Sequence, residues 1–384
     1  MDNKKNGIPK LRFPGFTGAW EQRKLGEVVN IFSGWSPSNF KEGDSGSDIF
    51  IKVDDLNYST REQLNSQMNV LESQKYKKIP KGSTIFPKRG AAIMTNKVRI
   101  LGKSAYMDTN MMALEASDIS SEFLYTFITK TGLFKIADTS TIPQINNKHI
   151  NPYPIKLPTM PEQKQIGKFF KQVDSLIALH QRKLKHLQEQ KKGLLQKMFP
   201  KNGETVPEVR FPGFTDAWEQ RKLGEMSHIE TGKLDANAMV KNGKYDFYTS
   251  GIKKYHIDTP AFKGPAITIA GNGATVGYMH LADGEFNAYQ RTYVLTKFSA
   301  NRSFIFIEIG NKLPRKIQQE SRAGNIPYIV MDMLTDLKIV LPSLAEQEKI
   351  GNFFNELNSL ITLHQRKLDH LELMKKGLLQ QMFV

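Results

Sequence analysis

Two sets of polar and basic residues occur in corresponding parts of the two halves of the chain. Each half has a short apolar run, at residues 83–87 and 266–270, and a later segment of helical character, at 121–136 and 302–318. The residues of interest in and near the polar loops that follow are Lys88, Arg89, Asn96, Lys97, Gln144, Asn146, Asn147 and Lys148 in the first half and Asn272, Arg291, Arg322 and Asn325 in the second. Arg, Lys, Asn and Gln side chains pair with base edges and phosphates, so these are candidate nucleic-acid contacts. Any single one is equally well interpreted as an ordinary polar surface residue.

The motifs of several enzyme classes are incomplete. Gly102-Lys103-Ser104 resembles the end of a phosphate-binding loop, but Lys97 stands where the first glycine should be. Gly271, Gly273 and Gly277 have the wrong spacing for a dinucleotide-binding loop. The chain has no cysteine, and its eight histidines show no paired spacing, which disfavours a metal site. The sequence offers no nucleophile with a base and an orienting group, and therefore indicates a binding protein.

The charge of the chain favours an anionic partner. Lys and Arg number 54 against 38 Asp and Glu, which gives a formal net charge of +16 over 384 residues. The excess is uneven, with +7 in residues 1–160, +7 in 161–201, +2 in 202–340 and zero in 341–384. No apolar run approaches the ~18–20 residues of a membrane span, and no signal peptide is evident. We therefore expect a cytoplasmic protein without a membrane partner.

A duplication organises the elements that must position these loops. Residues 12–27, RFPGFTGAWEQRKLGE, recur at 210–225 with one difference. Residues 157–199 recur at 341–383, at an offset of 184 positions. We call these repeated segments the frame. A repeated frame indicates one structural or partner-binding task carried out twice.

The segments between the repeats differ from each other. The first insert (28–156) and the second insert (226–340) show no obvious identity. Both have short apolar runs broken by Gly, Asn, Asp and Pro, which are typical of strands and turns, and both have one helical segment. We predict that each insert is a compact α+β domain and that the two have related tasks with different specificities.

The second frame segment predicts a long helix. It has no proline after Pro161 until it ends near residue 199. Positions seven apart form a mostly apolar seam at Ile166, Val173, His180, Leu187 and Leu194, and in the copy at Ile350, Leu357, His364, Leu371 and Leu378. The pattern favours coiled-coil pairing, and the duplication favours an antiparallel, pseudo-twofold arrangement. The seam histidines are most simply packed or register-setting side chains.

Several motifs resemble one family. Residues 11–27, with Leu-Arg-Phe-Pro-Gly-Phe and Lys-Leu-Gly-Glu, and their copy at 209–225 are similar to the opening of specificity (S) subunits of type I restriction–modification enzymes. Residues 33–38 resemble the family's early Ser-Gly-x-Thr-Pro-Ser stretch, whereas the second insert, at 230–233, departs from it. Leu-Pro followed by Glu-Gln at the start of each long helix is also similar. The resemblance spans residues 11–384.

The resemblance implies a fold and a function. The inserts would be two target recognition domains that each read half of a split, asymmetric site in double-stranded DNA. The helices would hold them apart and dock two methyltransferase (M) subunits and the restriction (R) subunits. S-adenosylmethionine, ATP and Mg would belong to those partners, and this chain would be the non-catalytic specificity component of an adenine methyltransferase and ATP-dependent endonuclease. The helix residues we assign to the spacer and to subunit binding are Phe169, Phe170, His180, Leu184, Leu187, Phe353, Phe354, His364, Leu368 and Leu371.

The expected architecture is therefore α+β, with two globular recognition domains separated by two long helices. We predict a first domain at 1–156, a helix at 157–200, a second domain at 201–340 and a second helix at 341–384. Two alternatives stay open at this point. One is a coiled-coil scaffold with two protein- or anion-binding domains, and the other is a nucleic-acid enzyme with an unrecognised site.

Overall fold

The computed structural model describes residues 7–201, 203–320 and 327–384. Contacts between residues divide the chain into two units. Unit 1 is Met1–Arg182 with Gln365–Val384, and unit 2 is Lys183–His364. Each unit contains one insert and part of both long helices. None of the described helices has the length and apolar character needed to span a membrane.

Unit 1 is a mixed structure in which the insert follows the opening frame segment and precedes the first long helix. Its strands are β1 (Glu21–Lys24), β2 (Val29–Ser33), β3 (Asp48–Ile51), β4 (Glu62–Gln63), β5 (Met68–Val70), β6 (Thr84–Pro87), β7 (Arg99–Leu101), β8 (Tyr106–Met107), β9 (Met111–Ala116) and β10 (Pro154–Leu157). Its helices are α1 (Ser121–Thr131), α2 (Leu133–Ile136) and α3 (Asn147–Ile150), and α4 (Met160–Lys197) follows.

Unit 2 contains the corresponding elements. The strands are β11 (Glu219–Lys222), β12 (His228–Thr231), β13 (Tyr245–Tyr248), β14 (Tyr255–Ile257), β15 (Phe262–Lys263), β16 (Ala266–Ala270), β17 (Met279–Ala282), β18 (Glu285–Ala288), β19 (Thr292–Thr296) and β20 (Lys338–Leu341). The helices are α5 (Leu223–Met226), α6 (Arg302–Glu320) and α7 (Met331–Thr335), and α8 (Leu344–Met382) begins in unit 2 and ends in unit 1. The prediction of a mixed fold with two long helices is confirmed.

The two inserts share a topology although their sequences differ. The larger sheet has the strand order β2-β9-β6-β7-β4 in the first insert and β12-β19-β16-β17 in the second. In the smaller sheets, β3 pairs antiparallel with β5 and parallel with β8, and β13 pairs in the same way with β14 and β18. The strands predicted at residues 83–87 and 266–270 are therefore equivalent interior strands, β6 and β16.

One glycine explains why the two inserts begin alike. A Cβ atom on Gly34 would lie 1.9 Å from the Asp108 carbonyl oxygen, and one on Gly232 would lie 2.0 Å from the Ala288 carbonyl oxygen. The chain leaving β2 or β12 thus passes directly against the backbone just after β8 or at the end of β18, where a side chain has no room. The glycine is common to both inserts, whereas the Ser-Pro-Ser that follows in the first is not.

Each unit pairs its segments of α4 and α8 in opposite directions. In unit 1, Asp174 of α4 binds Lys375 of α8 at 2.6 Å, and Phe170 meets Phe383 with ring centroids 6.2 Å apart. In unit 2, Phe199, just after α4, meets Phe354 of α8 at 6.0 Å. The helices have 38 and 39 residues, which is roughly 57 Å at 1.5 Å per residue. The coiled coil, as distinct from a pair of packed helices, stays a prediction.

The core of each unit contains a cluster of aromatic side chains at the end of a long helix. In unit 1, Phe383 is 4% exposed and packs on Phe123 at 5.2 Å and on Trp20 at 5.9 Å. The equivalent cluster of unit 2 consists of Phe199, Phe304 and Trp218. The end of one repeated helix therefore completes the core formed by the opening segment and by the helix of an insert.

Candidate nucleic-acid interface

The structure brings two of the predicted loops of the first insert together. Residues 88–90 continue β6 and run antiparallel to residues 143–145, with Arg89 opposite Gln144. The Gly90 N–H donates to the Pro143 carbonyl at 2.8 Å, and the Ile145 N–H donates to the Lys88 carbonyl at 2.8 Å. Side chains opposite each other in an antiparallel pair project on the same face, so Arg89 and Gln144 are neighbours on one surface.

Lys88 lies deeper than its neighbour Arg89. Its Nζ donates to the Ser33 hydroxyl at 3.1 Å, and burial lowers the pKa of Lys88 against the opposing effect of Asp108. Arg89 is exposed. Of the two cations, Arg89 is therefore the one freely presented to a partner.

Residues 146–148 extend the same edge. Asn146 precedes α3, and its N–H donates to His149 Nδ1 at 3.0 Å. Asn146, Asn147 and Lys148 are all exposed. These three predicted residues thus lie directly after the 143–145 segment and add hydrogen-bonding capacity and one positive charge to it.

Asn96 and Lys97 are engaged elsewhere. Asn96 has a left-handed backbone, with φ of 48°, and its side chain joins α1 to α2. The Asn96 amide donates to the Thr129 carbonyl and accepts from the Leu133 N–H, each at 3.0 Å. Lys97 Nζ donates to Asn57 Oδ1. Asn96 is accounted for by this structural role, and its DNA contact stays a prediction without geometric support.

The second insert forms the same arrangement with different side chains. Asn272 lies opposite Tyr328, and the Gly273 N–H and Ile329 N–H donate to the Pro327 and Gly271 carbonyls at 3.1 and 2.7 Å. The Ser250 hydroxyl donates to Asn272 Oδ1 at 2.8 Å. Tyr328 is 57% exposed.

Arg291 lies beside the same loop of the second insert, opposite Gly271. It is exposed, and its carbonyl accepts from the Gly271 N–H at 2.8 Å, next to Asn272. The remaining two predicted contacts, Arg322 and Asn325, lie outside the residues that the structure describes.

The sequence analysis missed Tyr328 and Asn110. Pro143-Gln144-Ile145 and Pro327-Tyr328-Ile329 share the pattern Pro-x-Ile at an offset of 184, the offset of the helix repeat. That signal was available and identifies Tyr328. Asn110 had no signal in the sequence, because it is the β-sheet that places it: the Lys88 N–H donates to its carbonyl at 2.8 Å.

The repeated motifs of the frame are explained by identical contacts. Arg12 makes two hydrogen bonds of 2.7 Å to the fully buried Glu162, and Arg210 makes the same pair to Glu346 at 2.7 and 2.8 Å. The neighbouring Gln163 accepts from the Ser120 N–H at 2.9 Å. The Arg and Glu-Gln motifs therefore join the opening segment, the helix start and the insert.

A sequence model of the type I restriction modification DNA specificity domain matches residues 18–189 and 215–373. The chain belongs to this family. The two matched stretches contain both inserts and most of both long helices, so the whole duplicated arrangement is that of a specificity subunit.

Relatives of this specificity subunit support the assignment. It is 34% identical over 154 residues to the type I restriction enzyme EcoDI specificity subunit of Escherichia coli, a match that spans 40% of this chain and about a third (34%) of that protein. It is 25% identical over 320 residues to the MjaVIII specificity subunit of Methanocaldococcus jannaschii, covering 73% of each chain. The S subunit of M. genitalium has a similar fold, with a TM-score of 0.70 at 15% identity over 98% and 99% of the two chains.

The helix residues assigned to subunit binding in this specificity subunit differ in accessibility. Phe170 and Phe354 are 1% and 0% exposed and belong to the cores of their units. Leu184 and Leu368 are each 8% exposed. The remaining members are half-buried: Phe169, His180, Leu187, Phe353, His364 and Leu371. The buried members pack within their units, and both the spacer role and the contact with a partner stay predictions.

Two exposed leucines of α4 have exposed copies in α8, whereas Leu344, Leu373 and Met374 of α8 are exposed without an exposed apolar copy in α4. Leu176 and Leu179 of α4 are 47% and 37% exposed, and their copies Leu360 and Leu363 of α8 are 46% and 45% exposed. Solvent-exposed leucines at the same positions of a repeat fit a contact made once in each copy better than they fit chance exposure.

Proposed function

We propose that this specificity subunit reads a bipartite, asymmetric site in double-stranded DNA, with one insert for each half-site. The observation that carries the proposal is the common topology of the inserts together with different side chains on corresponding loops. A shared backbone that presents Arg and Gln in one insert, and Asn and Tyr in the other, suits one docking geometry with two base sequences.

The two long helices set the separation of the half-sites in this proposal. Rigid spacing between recognition modules fixes the spacing of the sequences that they read. The frame contacts of Arg12 with Glu162 and of Arg210 with Glu346 join each opening segment to a helix. The Gln side chains next to these glutamates, Gln163 and Gln347, accept from the Ser120 and Asn301 N–H groups and join each insert to the same helix. The spacer between the half-sites is thus a property of the helices and the bases read are a property of the inserts.

The helices also dock the methyltransferase (M) subunits, one on each copy of the frame. The exposed pairs Leu176/Leu179 and Leu360/Leu363 supply two equivalent apolar contacts. Restriction (R) subunits join through that assembly. S-adenosylmethionine, ATP and Mg act in those partners, and this chain supplies the sequence specificity without a catalytic site of its own.

The test is co-expression with a methyltransferase subunit from the same host, followed by methylation-sensitive sequencing of the host DNA. We expect methylated adenines within one bipartite motif. Replacement of residues 28–156 by the insert of another specificity subunit should change one half-site and leave the other. A complex that assembles but methylates no bipartite motif overturns the proposal. A change in both half-sites after replacement of one insert overturns the claim that each insert reads one half-site.

The alternative of a coiled-coil scaffold makes an opposite prediction. A scaffold with protein- or anion-binding inserts has no preference among DNA sequences, so its complex should bind all duplexes alike. Fluorescence anisotropy of the purified complex with a duplex that carries the methylated motif and with a random duplex, at the same salt concentration, separates the two, because binding through phosphates alone does not depend on sequence.

A further inference from the structure

The equivalence of the two loop pairs extends to a third position. In the first insert the Lys88 N–H donates to the Asn110 carbonyl at 2.8 Å, and in the second the Gly271 N–H donates to the Arg291 carbonyl at 2.8 Å. Asn110 and Arg291 each stand immediately before the corresponding strands β9 and β19. The backbone therefore matches Arg89 with Asn272, Gln144 with Tyr328, and Asn110 with Arg291.

At two of the matched positions, the residue types Arg and Asn are exchanged between the inserts. The first insert has Arg at the second position after β6 and Asn just before β9, whereas the second has Asn at the second position after β16 and Arg just before β19. Arg pairs bidentately with guanine, and Asn and Gln pair with adenine, so the exchange changes the bases that suit each position without changing the backbone.

The backbone under these side chains is well held. Gln144 exchanges two hydrogen bonds with Asp138, at 2.9 and 3.0 Å, and the Asn110 N–H and amide both donate to Asp108 Oδ1, at 2.7 and 2.8 Å. In the second insert the Tyr293 hydroxyl donates to the Ile329 carbonyl at 2.7 Å. Gly90 and Gly273 share a positive φ, at 79° and 84°. Such fixed positions suit discrimination, since little ordering is needed on binding.

We propose that Arg89, Gln144 and Asn110 in the first insert and Asn272, Tyr328 and Arg291 in the second are two equivalent base-reading triplets, and that Asn110 and Tyr328 are specificity-determining residues. This rests on the proposed function. Each triplet reads base pairs at corresponding places of its own half-site, counted from the spacer. Tyr328, with more than half of its surface exposed, contributes an aromatic face and a hydroxyl where the first insert has an amide.

The test uses the co-expressed complex and the single variants Asn110→Ala, Gln144→Ala and Tyr328→Ala. Each should relax the preference at one base pair by about 10- to 100-fold, as expected for loss of a specific base contact. Asn110→Ala and Gln144→Ala should act only on the half-site of the first insert, and Tyr328→Ala only on the other. The positions relaxed by Gln144→Ala and Tyr328→Ala should lie at the same distance from the spacer. Sequencing of methylated DNA from each strain gives all of these readings.

An exchange variant tests the chemistry directly. Arg89→Asn combined with Asn110→Arg copies the order of the second insert onto the first and should change the bases preferred in the first half-site alone. Met239→Ala, which removes an exposed apolar side chain elsewhere in the second insert, is the control and should leave the motif intact. Thermal melting of each complex shows whether a variant is folded, so that a loss of base recognition can be told from a loss of folding.

The outcomes distinguish the two proposals. A wild-type complex without a bipartite motif overturns the proposed function. A wild-type motif that stays unchanged in folded Asn110→Ala and Tyr328→Ala complexes overturns the triplets alone, as does relaxation at unequal distances from the spacer.

Discussion

Arg89 is the most direct probe of DNA contact in the first insert, because it is exposed beside Gln144 while Lys88 is half-buried against Ser33. We expect Arg89→Ala to weaken binding of the complex to its DNA. Loss of a base contact costs about 1–3 kcal/mol of binding free energy and relaxes the preference at one base pair. Loss of a phosphate contact weakens binding to all sequences equally and reduces the salt slope by about 1. Anisotropy titrations between low and moderate salt measure both quantities. Unchanged affinity at every salt concentration would remove Arg89 from the interface.

Glu308 of α6 makes the stability of unit 2 depend on pH. Its carboxyl is 1% exposed, with one oxygen near Lys312 at 3.2 Å and the other buried without a hydrogen bond among the described residues. Burial raises the pKa of Glu308 despite Lys312. A raised pKa in the folded state means that ionisation costs stability, a cost absent below the unfolded pKa and complete above the folded one.

We therefore expect Glu308→Gln to raise the free energy of unfolding at neutral pH by about 1 kcal/mol, since it removes a buried, incompletely paired charge. The gain should shrink as pH falls towards the unfolded pKa of glutamate. Urea unfolding at a series of pH values measures it. Glu320→Gln, at an exposed pair with Lys316 on the same helix, is the control and should show no such trend. A constant difference at all pH values would contradict the assignment.

Among the elements, the ends of the two long helices make equivalent contacts in different units. Phe383 packs in unit 1 on Trp20 and Phe123, and Phe199 packs in unit 2 on Trp218 and Phe304. Truncating a buried phenylalanine costs about 3–5 kcal/mol. We expect Phe383→Ala to destabilise unit 1 and Phe199→Ala to destabilise unit 2.

Amide hydrogen exchange followed by mass spectrometry locates the effect of each substitution. Phe383→Ala should speed exchange in α1 and β9 and spare α6, whereas Phe199→Ala should do the reverse. Each variant is the control of the other. Equal exchange in both units for either variant would mean that the cores are not independently completed.

The long helices were predicted from sequence to within about three residues at each end, because proline-free heptads define them locally. The segment predicted as one helix at 121–136 is interrupted, since Gly132 has a positive φ of 85° and ends α1 before α2 begins. The sheet orders could not be predicted, because β2 pairs with β9 across more than 80 residues and pairing at that distance leaves no local signal. Asn110 was missed for that reason, whereas Asn96 was chosen by residue type and turned out to bridge α1 and α2.

At the scale of the whole molecule, each unit combines a segment of the basic first helix with a segment of its neutral repeat. The first helix is basic and its repeat neutral, but unit 1 contains helix segments with 8 basic and 4 acidic residues and unit 2 contains segments with 6 and 4. Counted over entire units, the excess is +11 in unit 1 and +5 in unit 2. Each unit is therefore basic, which suits an assembly in which both units meet DNA.

The paired helices also define how the spacing can be altered. Because Asp174 contacts Lys375 and Phe199 contacts Phe354, a deletion in α4 needs a matching one in α8, such as residues 179–185 with 365–371. One heptad is about 10.5 Å of helix. We expect the double deletion to shorten the spacer by about 3 base pairs, at 3.4 Å each, with both half-sites unchanged. Methylome sequencing reads the result, and an unchanged spacer in an active complex would refute the proposal that the helices set it.

The position of Phe383 has a consequence for synthesis on the ribosome. Trp20 is made early, yet the side chain that covers it lies 363 residues later, so the core of unit 1 stays incomplete until the last turn of α8 has emerged. Unit 2 has Phe199 and Trp218 close together in the sequence, and the last buried residue of its core is Leu357, 26 residues before Phe383. Long-range contacts form late and leave apolar surface uncovered meanwhile. The half of the molecule that is translated first is thus the half that finishes folding last.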